Sequence, residues 1–281
     1  MTDHLALISE LLLLVILGAL LFRVLWLRME IKRQKEAFEQ EVRELEERRD
    51  FLEDAGDRLL ELKKALELEQ EKSNRLLRNI LPERVIKDLQ EKGESLPERY
   101  EKTAVFFADI VNFTGIVPNL EPEELLVELN DIFGTFDEIF ARYNCERIKT
   151  VGDAYMAAAG LHKCEGNPCS NILMAALEAR AALQERNSRA DKRKWVMRFG
   201  VNAGPVIGGI VGREKYIYDI FGDTVNMASR IEHLSEAMKI NVSEKVVREV
   251  DSQFDFEYRG KFLVRGRGEV ELYFLNGVKE L

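Results

Sequence analysis

An α+β domain behind a long helical segment is the architecture predicted by this sequence of 281 residues. Three observations carry it. Residues 29–80 hold no proline, one glycine and a dense mixture of Glu, Lys, Arg and Leu, which is long-helix composition. From residue 100 onward, apolar runs of strand length alternate with stretches of helical period. The overall balance, 46% hydrophobic and 32% charged, is that of a folded protein. The net charge of −9 argues against a nucleic-acid binder, so no nucleic-acid partner is expected. Any phosphate-bearing partner must then be met by local lysines and arginines or by metal ions.

The N-terminus differs from the rest. Residues 11–22 form an unbroken apolar run, and residues 5–27 are apolar except for Ser9, Glu10 and Arg23. A membrane-spanning helix needs roughly 20 mostly apolar residues, a length reached here if Glu10 and Arg23 lie at the two interfaces and snorkel. Arg23, Arg28, Lys32, Arg33 and Lys35 follow the run, while Asp3 and Glu10 precede it. That asymmetry puts the C-terminal side in the cytoplasm. A cleaved signal peptide would need a basic start and a small-residue cleavage site, and neither is present. Residues 1–28 are therefore expected to be a single-pass transmembrane helix in the cell (inner) membrane.

Residues 29–80 read as a parallel coiled coil acting as a signalling rod. Phe38, Val42, Leu45 and Leu52 step by fours and threes, with Arg49 in the seam. A second series, Ala55, Leu59, Leu62, Leu66, Leu76 and Ile80, carries Glu69 and Ser73 in its seam. The step from Leu52 to Ala55 is three where four is due, a stammer, and Gly56 sits beside it. A seam with polar members is weak on heptad grounds, which suits an element that switches between two packings. Residues 81–99 form a linker: a helix starting at Leu81-Pro82 and stopping at Gly93.

Residues 100–281 follow in order. "TAVFFADI" (103–110) is a buried strand ending in an acid. Residues 121–143 are helical, with Leu125, Leu129, Ile132, Phe136 and Phe140 on one face. "ERIKTVGDAYMAAAGL" is two strands around Val151-Gly152. Residues 170–185 form an Ala/Leu-rich helix, "WVMRFGVNAGPVIGGIVG" a strand with a glycine-rich turn, residues 223–235 a helix, and short strands fill the C-terminus. Strand-helix-strand-strand-helix-strand is the order of a ferredoxin-like α+β sandwich with additions.

Several residues stand where chemistry is possible. Asp109 follows the apolar Phe106-Phe107-Ala108 and Asp153 follows the hairpin turn, each at a junction between a buried apolar strand and the next element, so neighbouring strands would bring the two carboxylates to one end of a sheet. Converging carboxylates repel unless a cation lies between them, and magnesium with nucleotide phosphates is a natural occupant. After Asp109, "IVNFTG" opens the next segment with Phe113 and Thr114, whose backbone amides can grip phosphate oxygens. Asn226 and Arg230 are four apart and share a helix face; an amide and a guanidinium side by side suit an anionic transition state. Asp219 lies on the strand before them. Lys149 stands four residues before Asp153 across a glycine, and could pair with it or serve a different partner. Cys145, Cys164 and Cys169 are too few for a disulfide framework, and the spacing of Cys164 and Cys169 with His162 matches no zinc pattern, so they read as reduced thiols.

Together these residues carry a resemblance. From about Tyr100 onward the chain resembles the catalytic domain of the class III nucleotidyl cyclases, through "FADIVNFT", "IKTVGDAYM", "FGVNAGPVIGGIVG", "YDIFGDTVNMASR" and "GKFLVRGRGEVELYFL" in the family's order. "LLRNILPERV" is similar to the segment that couples signalling rods to such domains. The resemblance implies two Mg²⁺ or Mn²⁺ ions per site on Asp109 and Asp153, with the Ile110 carbonyl as a further ligand. It implies that Arg230 neutralises charge growing on the α-phosphoryl group and that Asn226 positions the ribose. Arg265 falls where the family usually has a phosphate-binding lysine. Lys149, a donor, and Asp219, an acceptor, match N1 and N6 of adenine; cyclic-GMP-forming members carry Glu and Cys or similar at these positions. The implied reaction is that of an adenylate cyclase, ATP to cyclic AMP and pyrophosphate. Metal-binding and base-reading residues of one site come from different subunits in this family, so a homodimer is expected. A membrane partner or lipid acting on the span would be the regulator. A diguanylate cyclase is disfavoured because its Gly-Gly-Asp/Glu-Glu-Phe signature is absent.

Overall fold

The computed structural model describes residues 2–78, 80–161, 166–212, 215–264 and 266–279, with side chains from residue 13 onward except that of residue 119. The chain divides into two compact units, Met1–Leu76 and Leu77–Leu281.

Nearly all of the first unit is one helix, α1 (Thr2–Arg78, which ends just inside the second unit). It runs without a break through residues 52–56, where the heptad pattern skips a residue. Its charged pairs, such as Lys32 with Glu36 at 3.8 Å and Arg58 with Asp54 at 2.9 Å, are solvent-exposed and contribute a few tenths of a kcal/mol each at most. Leu45, Leu52, Leu59, Leu62 and Leu66 are all exposed in the single chain. Among the described residues no helix is long and apolar enough to cross a membrane. From Leu13, where side-chain description begins, only ten apolar residues precede Arg23, too short a stretch to span. The rest of the expected span, residues 5–12, lies outside the described side chains.

The second unit opens with α2 (Glu83–Lys92), entered at Pro82 and closed by Gly93 in the left-handed conformation at φ 75°. Then come β1 (Glu98–Ile110), a single turn α3 (Phe113–Ile116), α4 (Pro122–Arg142), β2 (Cys145–Val151), β3 (Ala154–Ala159), α5 (Pro168–Ser188) and β4 (Met197–Val211). The additions are β5 (Ile217–Phe221), α6 (Asp223–His233), β6 (Ile240–Ser243), α7 (Glu244–Val250), β7 (Phe254–Val264) and β8 (Gly268–Val278). The sheet order is β2-β3-β1-β4-β6-β8-β7, with β5 paired to β4. Only β4 and β6 run parallel among the strand pairs of the described residues. Its first part, β2-β3-β1-β4, is the split β-α-β arrangement expected from the order of elements.

Strand alternation divides β1 between two cores. Ala104, Phe106, Ala108 and Ile110 face the side covered by α4, α5 and α7, while Val105 and Phe107 face the side covered by α2 and α6. Val85 and Ile86 of α2 and Ala228 of α6 pack into the second core. Phe106 is fully buried, its ring 4.8 Å from that of Phe140 and 6.0 Å from that of Phe199. Phe106→Ala is expected to cost about 3–5 kcal/mol, a large share of a domain's stability, because the cavity lies under the rings of Phe140, Tyr155 and Phe199 on three elements. Urea unfolding of the variant checks this; a loss under about 1 kcal/mol would mean that the core closes over the hole.

Candidate active site

β1 and β3 are antiparallel neighbours, with Ala108 opposite Tyr155. The residue after Ala108 and the turn residue before β3 are therefore brought to the same end of the sheet: these are Asp109 and Asp153. Gly152, at φ 63°, makes the turn that places Asp153, and it sits in the left-handed region that favours glycine. Asp153's carboxyl is pushed up to about 6, first by burial and then by the Asp109 carboxylate; the amides of Asp153 and Ile110 pull the other way. Two neighbouring carboxylates in a half-buried place, one of them pushed up by the charge of the other, fit a divalent cation. Among the described residues no cluster of three or more acidic, His or Cys side chains forms a metal cage, so further ligands would be carbonyls, waters or phosphate oxygens.

Lys149 does not serve Asp153. Its ammonium lies 2.5 Å from Oδ2 of Asp219, across from β2 to β5. Oδ1 of Asp219 accepts from the backbone N–H of Ile220 at 2.9 Å. The donor and acceptor expected to read a base are thus adjacent, each occupied by the other. After Asp109 the chain turns through Asn112 at φ 59° into α3, where Phe113 is half-buried and Thr114 exposed. Asn226 and Arg230 lie on the exposed side of α6, whose other face buries Met227, Ala228 and Ile231. A side chain at Gly266 would come within 4.0 Å of Nη1 of Arg230, so Arg230 points to the β7–β8 turn. Arg265, in that turn, lies outside the described residues, as do His162 and Cys164. Cys145 and Cys169 are buried, and burial pushes the Cys169 thiol up to about 12, so it stays protonated at neutral pH.

The structure adds two residues that sequence reasoning missed. Arg198 on β4 stands opposite Asp109 in the strand register, and its Nη2 donates to Oδ2 of Asp109 at 3.1 Å. Its Nε lies 3.2 Å from Oε1 of Glu232, at the end of α6. Glu232 is buried, and burial raises its carboxyl to about 7 despite His233 and Arg198 nearby. A signal was available for Arg198: it is the one charged residue in the apolar run "WVMRFGVNAG" apart from the flanks. Glu232, in "SRIEH", has no such mark.

Comparison with known proteins shows the family. Residues 96–277 match the family model described as the adenylate and guanylate cyclase catalytic domain. Guanylyl cyclase C of Homo sapiens is 38% identical over 218 residues, 75% of this chain. The chain spans only about a fifth of that relative's length, 20%. Among solved structures, the guanylate cyclase domain of RhGC from Catenaria anguillulae in complex with GTP is similar at a TM-score of 0.62 and 28% identity, covering 65% of this chain and 100% of that one. The adenylyl cyclase CyaB from P. aeruginosa is similar at a TM-score of 0.61 and 26% identity, covering 66% and 98%. The one fold thus serves relatives named for either base. By the match across nearly all of its second unit, the chain belongs to the adenylate and guanylate cyclase catalytic domain family.

Proposed function

We propose that the chain is an adenylate cyclase, converting ATP to 3′,5′-cyclic AMP and pyrophosphate as a homodimer. The observation that carries the choice of base is the pairing of Lys149 with Asp219. A nucleotide entering between them would meet an ammonium donor and a carboxylate acceptor. Adenine offers an acceptor at N1 and a donor at N6, and guanine offers the reverse at N1 and O6, so only adenine satisfies both. The two residues in contact hold each other in place until the base arrives.

The remaining roles follow from position. Asp109 and Asp153, with the Ile110 carbonyl, would hold the metal ions. Two Mg²⁺ or Mn²⁺ ions, when bound, supply activation of the ribose 3′-hydroxyl and neutralisation of the triphosphate. Arg230 offsets charge growing on the α-phosphoryl group as O3′ closes on phosphorus and pyrophosphate leaves. Asn226, one turn earlier, holds the ribose. The amides of Phe113 and Thr114 would meet the phosphates, a role that the family resemblance also gives to Arg265.

Dimerisation is supported by apolar surface that a single chain leaves open. Ile207, Val211, Ile217 and Phe221 are exposed on the β4–β5 hairpin, next to Asp219, and the leucines of α1 are exposed in the rod. A second copy would cover both, making α1 a parallel coiled coil. Placement at the inner membrane, with a membrane partner or lipid as regulator, rests on residues 5–27 of the sequence.

A second reading, a guanylyl cyclase, is favoured by the name of the relative at 38% identity. Full-length protein assayed with Mn²⁺ and either nucleotide decides between them. Each mispaired base contact costs about 1–3 kcal/mol, so ATP should exceed GTP in kcat/KM by at least about 30-fold. Joint replacement of Lys149→Glu and Asp219→Cys should reverse the order. A wild-type preference for GTP would establish the second reading.

A further inference from the structure

Arg198 is shared between two acids. One is Asp109, a proposed metal ligand, at 3.1 Å from Nη2. The other is Glu232, at 3.2 Å from Nε, with a side chain only 2% exposed. The second oxygen of Glu232 lies 2.9 Å from Nδ1 of His233. Nε of Arg198 and Oε1 of Glu232 are buried yet not aligned as donor and acceptor, so neither makes a hydrogen bond. A buried ion pair that served stability alone would be expected to have its polar atoms satisfied, since a half-satisfied one is costly. Glu232 cannot easily withdraw. The last turn of α6 presses on β4 so closely that a side chain at Gly200 would come 2.3 Å from the Glu232 backbone nitrogen.

A cation on Asp109 and Asp153 would compete with the Arg198 guanidinium for Oδ2 of Asp109. The guanidinium is released from Asp109 more easily if a second anion holds it. We propose that Glu232 is a positioning residue: it draws Arg198 off Asp109 and so keeps the carboxylate pair open to a divalent cation. This rests on the reading of Asp109 and Asp153 as the metal site. Glu232 also lies in the last turn of the helix that bears Asn226 and Arg230, so the same contact ties that helix to the end of β1 that carries Asp109.

The test is Mn²⁺ binding by full-length protein, read as loss of the free-ion electron paramagnetic resonance signal, with thermal unfolding as the folding control. Outer partners of metal ligands typically set affinity by about 10- to 100-fold, and Glu232→Gln is expected to weaken Mn²⁺ binding by that factor. At saturating Mn²⁺, kcat should fall by less. Glu232→Asp keeps the charge with a shorter reach and should give an intermediate affinity, which preserves the test should Glu232→Gln not fold. Because Glu232 acts through Arg198, either substitution should have little effect in an Arg198→Gln background. Unchanged affinity in the single variants, or equal weakening with and without Arg198, overturns the proposal. Failure of the wild type to bind Mn²⁺, or binding that survives Asp109→Asn, would instead overturn the metal site on which it rests.

Discussion

Asp109→Asn is expected to reduce cyclase activity by well over about 100-fold, since even an outer partner of a metal ligand is worth 10- to 100-fold in affinity or activity. The amide keeps the shape and removes one of two charges at the end of β1 and β3. The fold should survive, because Asp109 is not part of the core and the amide oxygen of Asn can still accept from Arg198. The same variant makes a second, independent prediction in metal-free protein. Asp153, held at about 6 against an ordinary 3.8, should fall toward its ordinary value once its charged neighbour is gone. A group raised in the folded state contributes stability that is complete below the unfolded value and is lost as pH rises through the folded one. In metal-free wild-type protein the stability contributed by Asp153 should therefore be lost as pH rises from about 4 to 6, and Asp109→Asn, which leaves the burial of Asp153 in place, should lessen that loss without abolishing it. Carboxyl NMR titration and urea midpoints read the two effects. Retained activity, with Asp153 titrating as before, would separate Asp109 from the chemistry.

Mixing two inactive variants is expected to restore activity. On the proposed roles, Asp109→Asn chains would lack a metal ligand and Asn226→Ala chains the ribose contact. If one site draws its metal ligands from one chain and Asn226 from the other, each mixed dimer has one intact site and one doubly damaged site. Random assembly makes half the dimers mixed, so activity should reach about a quarter of wild type from two preparations that are each nearly silent. Co-expression with different affinity tags and purification through both isolates the mixed dimer, where activity should be about half. Silence in that purified dimer would mean that each site is built within one chain. Arg230 points to the β7–β8 turn of its own chain, so Arg230→Ala should behave like Asn226→Ala in the same mixture.

The strands and helices of the second unit were largely legible because their periods are strong. The run 103–110 alternates between two buried faces, and residues 121–143 repeat at helical spacing; both emerge as elements within a few residues. β1 begins earlier than the apolar run, at Glu98, because its polar start pairs with β4 near the hairpin. Such pairing leaves no mark in local sequence. The convergence of Asp109 and Asp153 was readable from two acids, each at a junction between a buried apolar strand and the next element. The grip of Arg198 on Asp109 was not, because it depends on the register between β1 and β4, and those strands are separated by nearly ninety residues. A spanning helix over residues 1–28 was expected and is not found among the described residues; the side chains of residues 1–12 lie outside them, and from Leu13 the apolar run meets Arg23 before it reaches membrane length.

What the sequence by itself determined is the order of elements and the residue types at the site, because periodicity and turn chemistry are local properties of the chain. It also posed the question of whether Lys149 pairs with Asp153, four residues away. The family resemblance gave the two residues different roles, and the tertiary structure shows the partner that Lys149 takes in the single chain. The two-residue turn at Gly152-Asp153 carries Asp153 to Asp109, while Lys149 on β2 reaches Asp219 on β5, seventy residues on. Partner choice for a charged side chain is set by strand order and register, which depend on how the whole chain buries its two apolar faces, and no short stretch contains that information.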